Sequence, residues 1–584
     1  MLFVRSARVT VWMGLASLTW STVGFCDDGS LSERLPPGAI AVAEWANANA
    51  LIERAQSSPL LKAAYESEPY RQWTESNNGR KFRGGRAMLE GQLGLNLWDA
   101  SKRVLGDRGI VAVYPPSEPG GKPEGVLLVR LADDEIGGHL KSRLEALIPL
   151  ANDKIKSETI DGAWLTTAPD GNRTWVKDRW VVGGTARIVD DVRRRLSETV
   201  TDSLAKTLGA KLSGAPAKSD TIVSLAVDPV RIRELLGQAR LIPAKLDNPL
   251  ASLLFGGLTE YAAIGKDVLA SLQIRPEGFE LKFDVSGDAG QIDVAHKTLL
   301  STQPLVQPEL LPTVPRRLAT MTLVRDWATW YRQRDALLEA KVLPEFDKFE
   351  TGLATFLPGK DFSQDILSLM SGPLTLVFAE QTYPHLPQPP GLQLPAGALV
   401  VSLTDAQRGA DVFNLFIQTL TSLTNLEAAK QMRQPWLTSA ETYKGVTITY
   451  ARYLEIPKGQ ALPAIFNAQP ASALVGSQYI AASSVELCKD LIDALQSTQK
   501  TATTTATTVQ RNFELILAPE NAAPLVKSNH ALIEARGVQE GKTAEQSKTE
   551  REFLETILRT QKPLRLSTDV TPTGLTLTLQ GGWQ

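Results

Sequence analysis

Cysteine is nearly absent from this 584-residue chain: Cys26 and Cys488 are its only two. If an N-terminal processing step removes Cys26, no internal disulfide can form whatever the compartment, and stability must come from core burial. Histidine is almost as scarce, with His139, His296, His385 and His530 scattered along the sequence. That spacing excludes a zinc centre built from local ligand pairs. Neither sign of charge prevails, 62 Lys and Arg facing 64 Asp and Glu for a net of −2. The chain as a whole therefore gives no electrostatic case for nucleic acid or an anionic membrane as partner. Also missing are a G-x-S-x-G elbow, a P-loop, a dinucleotide fingerprint, an HExxH pair and an EF-hand loop. No cofactor or metal site is expected. Motif absence does not exclude a glycosidase, whose two carboxylates need no local signature.

What is present begins at the N-terminus. Arg5 and Arg8 precede an uncharged run from Val9 to Phe25. A basic start followed by a short apolar stretch predicts an export signal over residues 1–26. The run falls short of the roughly 20 apolar residues of a bilayer span, and no later stretch is long and apolar enough to cross. Cleavage is expected after Gly24 or Cys26. Lipidation of Cys26 is the alternative, although Phe25 is bulky where such sites take a small residue. Without Arg5 and Arg8 the chain holds 60 basic residues (62 minus 2) against 64 acidic ones, about −4. The protein is thus expected to be exported to the periplasm or beyond, with an N-terminal anchor as the variant reading.

The remainder says nearly the same thing twice. Gly125-Val-Leu-Leu-Val-Arg-Leu-Ala-Asp133 recurs as Gly397-Ala-Leu-Val-Val-Ser-Leu-Thr-Asp405, five of nine positions being identical. Both read as a strand ending at the N-cap aspartate of an amphipathic helix. Upstream, Ala43-Glu-Trp-Ala46 is set against Arg325-Asp-Trp-Ala328, and Leu89, Val113 and Tyr114 against Leu353, Val377 and Phe378. Pro115–Pro123 and Pro384–Pro395 are read as equivalent hairpin loops. Downstream, Val176–Leu196 is set over Val475–Leu495, Ile222–Val227 over Phe513–Ala518, and Pro276-Glu-Gly278 over Pro572-Thr-Gly574. Many short connections favour antiparallel pairing. The expected fold is α+β: two tandem related halves, each a largely antiparallel sheet with flanking helices. Expected boundaries are 27–290 for the first half, a Pro-rich linker over 291–315, and 316–584 for the second.

The repeat weighs the chemical candidates. Cys488 lies on an apolar helix face with Val485, Leu491 and Leu495 and is set against Val189, so it reads as a packing residue. Asp133-Asp134-Glu135 reads as a helix start. Asp190-Asp191 with Arg193-Arg194-Arg195 reads as a solvated helix face of charge pairs. Ser497-Thr-Gln-Lys500 fits Ser-x-x-Lys but lacks its companion motifs. Trp164, Trp175 and Trp180, with Thr447 and Tyr479 in the second half, could form an exposed carbohydrate or peptide surface. The packed face of a sheet is favoured instead. Trp45 and Trp327 read as matched architectural residues. No catalytic residue is assigned.

The Leu-Pro start, the Ala43-Glu-Trp opening and Trp180-Val-Val-Gly-Gly-Thr resemble large exported bacterial proteins, common in planctomycetes, known only as a domain of unknown function. The resemblance implies export and an α+β repeat, and carries no catalytic residues. The expected role is a non-enzymatic binding or envelope-interaction module for a protein, glycan or small molecule. A hydrolase of envelope or extracellular polymers and a carrier of apolar ligands are the alternatives.

Overall fold

The computed structural model describes residues 30–46, 52–53, 56–104, 108–132, 134–147, 155–160, 162–198, 200–212, 221–300, 305–306, 313–457, 462–501, 508–509 and 511–582. The export signal, Cys26 and Asp133 lie outside them. The chain divides into two compact units. One runs to Leu241 and adds Ile264–Val285, and the other joins Ile242–Ala263 to Ser286–Gln584. The boundary near 290 thus falls at 285, and a helical stretch before it belongs with the second unit. The expected linker starts inside folded chain, since Ala295, Leu299 and Leu300 are buried.

The first unit is built on strands β1 (Ala41–Ala46), β2 (Arg108–Tyr114), β3 (Glu124–Arg130), β4 (Lys156–Ile160), β5 (Ala163–Thr167), β6 (Asn172–Lys177), β7 (Trp180–Thr185), β8 (Thr221–Val227), β9 (Asp267–Arg275) and β10 (Gly278–Ser286). They pair in the order β10-β9-β8-β1-β2-β3-β7-β6-β5-β4. Helices α1 (Pro59–Glu66), α2 (Glu68–Glu75), α3 (Asn77–Leu93) and α4 (Leu97–Val104) form the crossover from β1 to β2. After them come α5 (Asp134–Leu147), α6 (Ala186–Ser197) and α7 (Pro229–Leu236). One sheet face carries Val42, Ile110, Leu128, Leu165 and Val182 against Ile188, Val189 and Val192 of α6. On the opposite face Trp45, Leu127, Val129 and Val181 meet Ile136 of α5. A sheet covered on both faces has little polar alternation to show.

The second unit uses β11 (Arg317–Val324), β12 (Met370–Ala379), β13 (Ala396–Leu403), β14 (Trp436–Tyr443), β15 (Val446–Tyr453), β16 (Ala471–Val475), β17 (Gln478–Ala482), β18 (Arg511–Leu517), β19 (Leu564–Thr571) and β20 (Gly574–Gly582). Their order, β20-β19-β18-β11-β12-β13-β17-β16-β15-β14, repeats that of the first unit strand for strand. Its helices include α8 (Pro249–Ile264), α9 (Val294–Lys297), α10 (Trp327–Arg332), α11 (Arg334–Leu337), α12 (Leu343–Phe356), α13 (Ala406–Lys430) and α14 (Val485–Thr501). Leu487, Cys488 and Leu491 of α14 sit where α6 has Val189 and its neighbours, against Val377, Ala398 and Ile480. Both units are α+β, and their ladders are antiparallel wherever a register is defined.

Single hydrogen bonds recur with the topology. Gly125 N donates to Thr185 Oγ1 at 3.1 Å, and Gly397 N to Ser483 Oγ at 2.9 Å. Leu131 N donates to Arg179 O and Leu403 N to Ser477 O, at 2.6 and 2.8 Å. Asp405 caps α13 as expected, accepting from Arg408 N at 3.0 Å.

The registers correct three of the sequence matches. Gly125 lies opposite Val113, and Gly397 opposite Phe378, so Val113 corresponds to Phe378 rather than to Val377. Buried Ala112 is then the counterpart of buried Val377. Likewise β8 against β1, and β18 against β11, set Val227 level with Leu517 rather than Ala518. Trp45 and Trp327 are not equivalent. Trp45 is inside β1 opposite Gly109, whereas Trp327 opens α10, past the end of β11.

Gly109 leaves room for the Trp45 indole, since a Cβ there would fall 1.8 Å from the ring. Gly125 has no such neighbour, its nearest contact being Ala112 O at 3.8 Å. Gly109→Ala should therefore lower stability by about 1–3 kcal/mol through overpacking, while Gly125→Ala should stay within about 0.5 kcal/mol. Urea denaturation of both variants checks the contrast.

Candidate functional site

Among the described residues one group of side chains could hold a metal ion or store a proton: Glu260, Asp293 and His296, all of the second unit. Asp293 is the N-cap of α9 and accepts from His296 N at 2.9 Å. This turn brings the ring back beside its own cap, with His296 Nδ1 2.7 Å from Asp293 Oδ2. On the far side Nε2 lies 3.1 Å from Ala244 O and 3.5 Å from Glu260 Oε2. Glu260 is buried in α8. Burial opposes ionisation of Asp293, but the His296 and Ala295 N–H groups and the imidazole outweigh it and hold its carboxyl below the ordinary aspartate range.

Each ring nitrogen faces only oxygen atoms, Asp293 Oδ2 at Nδ1 and Ala244 O and Glu260 Oε2 at Nε2. The ring is held between two acidic side chains and a main-chain carbonyl. The three ligand atoms lie within 4.8 Å of one another, and a zinc or manganese ion would fit the donor set. Such an ion would have to displace the hydrogen bonds the ring already makes to Asp293 and Ala244. The arrangement therefore acts as a clasp that fastens α8 and the chain before it to α9.

A second fastening is next to it. Arg325 is buried and sends Nε and Nη2 to Leu253 O of α8 (3.1 and 2.6 Å), and Nη1 to Val324 O and Asn512 O (2.8 and 2.7 Å). Burial pushes its guanidinium below the usual arginine value. Asn512 Nδ2 in turn donates to Leu299 O at 2.8 Å. Sequence reasoning passed over this set because its members are far apart in the chain, and Glu260 and Asp293 follow no motif. The Asp-x-x-His spacing of 293–296 was the one local signal.

Several of the other candidates take structural roles. Cys488 is fully buried in the core, and burial raises its thiol to about 12, so it is no nucleophile. Ser497 Oγ donates to Ala494 O of its own helix at 2.8 Å. His139 lies in α5. His530 opens a helix, its Nδ1 3.1 Å from Lys527 O. Desolvation lowers the His385 ring from its ordinary value in the loop after β12. Asp134 and Glu135 occupy the first turn of α5.

The Asp190–Arg195 segment is only partly the solvated face expected. Arg194 pairs with Asp191 near solvent, but Arg195 is buried and holds Asp202 O at 2.5 Å. Trp164 and Trp175 are buried and Trp180 packs beside the same core, so no tryptophan surface forms there. Tyr479 is buried too, stacked on Phe413 at 5.2 Å. Trp327 donates Nε1 to Gly372 O at 2.9 Å and serves packing.

No family profile matches the chain, and no curated protein does. Among solved structures it is similar to crystal forms III, I and IV of TP0453, with TM-scores of 0.26, 0.25 and 0.24 and identities of 11%, 11% and 9%. The alignments cover 48%, 49% and 47% of this chain and 90%, 90% and 87% of those chains.

His296→Ala should lower the unfolding free energy of the second unit by about 1–3 kcal/mol, the range for a buried polar group stripped of its partner, and added zinc should not raise the melting temperature. Denaturant titration and thermal scans with and without zinc read both. A depressed aspartate stabilises above its unfolded pKa, and that contribution is lost as pH falls through the folded value. Stability should accordingly decline in acid below about pH 4, with a shallower slope in Asp293→Asn. Cys488 should stay unreactive to a thiol reagent until denaturant unfolds the second unit.

Proposed function

We propose that this is an exported, non-enzymatic binding module of the cell envelope, built from two α+β units of one topology. One observation carries the reading: Cys488, Ser497 and His296, candidates for nucleophile or base, have scaffold roles. Cys488 packs, Ser497 bonds its own helix, and His296 sits saturated between acceptors. A hydrolase needs at least one such group poised toward substrate, with its proton free to move. The basic and apolar N-terminus, Arg5 and Arg8 before Val9–Phe25, supports the compartment. No helix of the described residues is long and apolar enough to cross a membrane.

Binding then falls to surface groups on a rigid frame, the usual division of labour between scaffold and recognition. The purified chain, begun at Asp27, is expected to co-sediment with at least one envelope fraction, isolated membranes or peptidoglycan sacculi. It should release no product from polysaccharide, peptide or ester substrates. Product release that scales with protein and survives repurification would sink the non-enzymatic reading. Recovery in the supernatant with every fraction would sink the binding one.

A further inference from the structure

The two units agree in strand order and differ in the crossover between their first two strands. In the second unit that crossover is packed, with Trp327, Trp330, Tyr331, Leu337 and Leu338 all buried in one cluster. In the first unit the same crossover is α1–α4, and four of its large side chains are exposed. Tyr65, Trp73, Phe82 and Met88 are 41%, 43%, 49% and 62% exposed. The aromatic rings form a continuous row, Tyr65 to Tyr70 at 4.9 Å, Tyr70 to Trp73 at 5.9 Å and Trp73 to Phe82 at 5.4 Å.

Positive charge is concentrated around Phe82 on α3, whereas α2 carries Glu68 and Glu75 against Arg71. Arg80, Lys81, Arg83 and Arg86 fall between Gly79 and Met88 with no acid among them. Arg86 pairs with Glu90 at 2.9 Å. Arg80, Lys81 and Arg83 are exposed and take no carboxylate partner among the described residues. Helix α3 is also a poor helix by itself: four of its seventeen residues, Gly79, Gly84, Gly85 and Gly91, are glycine. Helices of this length are marginal in water unless a face is buried, and here Lys81 to Gly85 are exposed in succession.

We infer that α2 and α3 lie on an anionic lipid surface, the aromatic row entering the headgroup boundary while Arg80, Lys81 and Arg83 meet lipid phosphates. Aromatic rings with polar tips favour that boundary. A basic helix with an apolar side lies in the plane of such a surface rather than crossing it. This rests on the envelope-binding reading and narrows its partner to lipid.

The chain begun at Asp27 is mixed with vesicles of phosphatidylcholine alone or of phosphatidylcholine with phosphatidylglycerol, and pelleted. Binding should require the anionic lipid and weaken with salt. A triple variant, Arg80→Gln, Lys81→Gln and Arg83→Gln, should lose partitioning by roughly fivefold per charge. Its circular dichroism should be unchanged, because the three side chains are exposed. Trp73→Ser with Phe82→Ser should weaken binding through the apolar arm.

Equal pelleting with both vesicle types, or mixed-vesicle binding that the triple variant keeps, overturns the inference. So does tighter binding to a polyribonucleotide than to mixed vesicles, lost in the same variant, which assigns the patch to nucleic acid. A chain that ignores both vesicles but pellets with sacculi overturns the lipid assignment and leaves the envelope reading standing. A chain that pellets with neither overturns both.

Discussion

Burial on two faces and two edges at once is the constraint from which each unit is built. Strand β3 is hydrogen-bonded to β2 and β7, and β13 to β12 and β17. Leu128 and Val126 face the α6 side, while Leu127 and Val129 face α5. A position in such a strand has no solvent-facing alternative, so side chains are held to apolar types and volumes that fill the space. The glycine that opens the strand is tied by its N–H to a hydroxyl at the end of the neighbouring strand, Thr185 in one unit and Ser483 in the other. The aspartate that follows the strand in the second unit caps the helix covering it. Strand and edge bond recur together in both units, and that is why the segments beginning at Gly125 and Gly397 resemble each other.

The same constraint explains what could not be read. A strand buried on one face shows alternation, and a slip of one residue would put charge in the core. In β2, β8 and their counterparts the less buried face also carries apolar side chains, Val113, Val227, Phe378 and Leu517, so Val113 against Val377 is as good an apolar match as Ala112 against Val377. Only the ladder decides, and it decides for the second. Trp45 and Trp327 were matched on a three-residue echo with no periodicity behind it. One belongs to a strand and needs Gly109 beneath its ring, and the other begins a helix.

The candidate site was hidden for a different reason. Glu260, Asp293 and His296 meet because α8 joins the second unit, although it precedes β9 and β10 of the first in the chain. A boundary drawn from composition at 290 separates Glu260 from both its partners. Arg325 compounds this, since its partners Leu253 and Asn512 lie 72 and 187 residues away. They contribute main-chain carbonyls, which leave no mark on residue identity. Core packing and local caps are therefore legible in this sequence, whereas long-range polar fastening is not.

Net charge misleads in a similar way. The chain totals −2, and that sum seems to dismiss any acidic partner. Yet a field decays within about a Debye length, roughly 10 Å at moderate salt, so a partner at α3 feels Arg80, Lys81 and Arg83 and little of the distant acids. Scaffold positions are those where the units must agree, because both solve one packing problem. Recognition is free to occupy positions where one unit has solved that problem without the segment concerned. Buried Trp327 and Trp330 show that the crossover can be packed into this topology. In the first unit it carries exposed Trp73, and exposed Phe82 between Lys81 and Arg83, instead, and folding alone gives no reason for that choice.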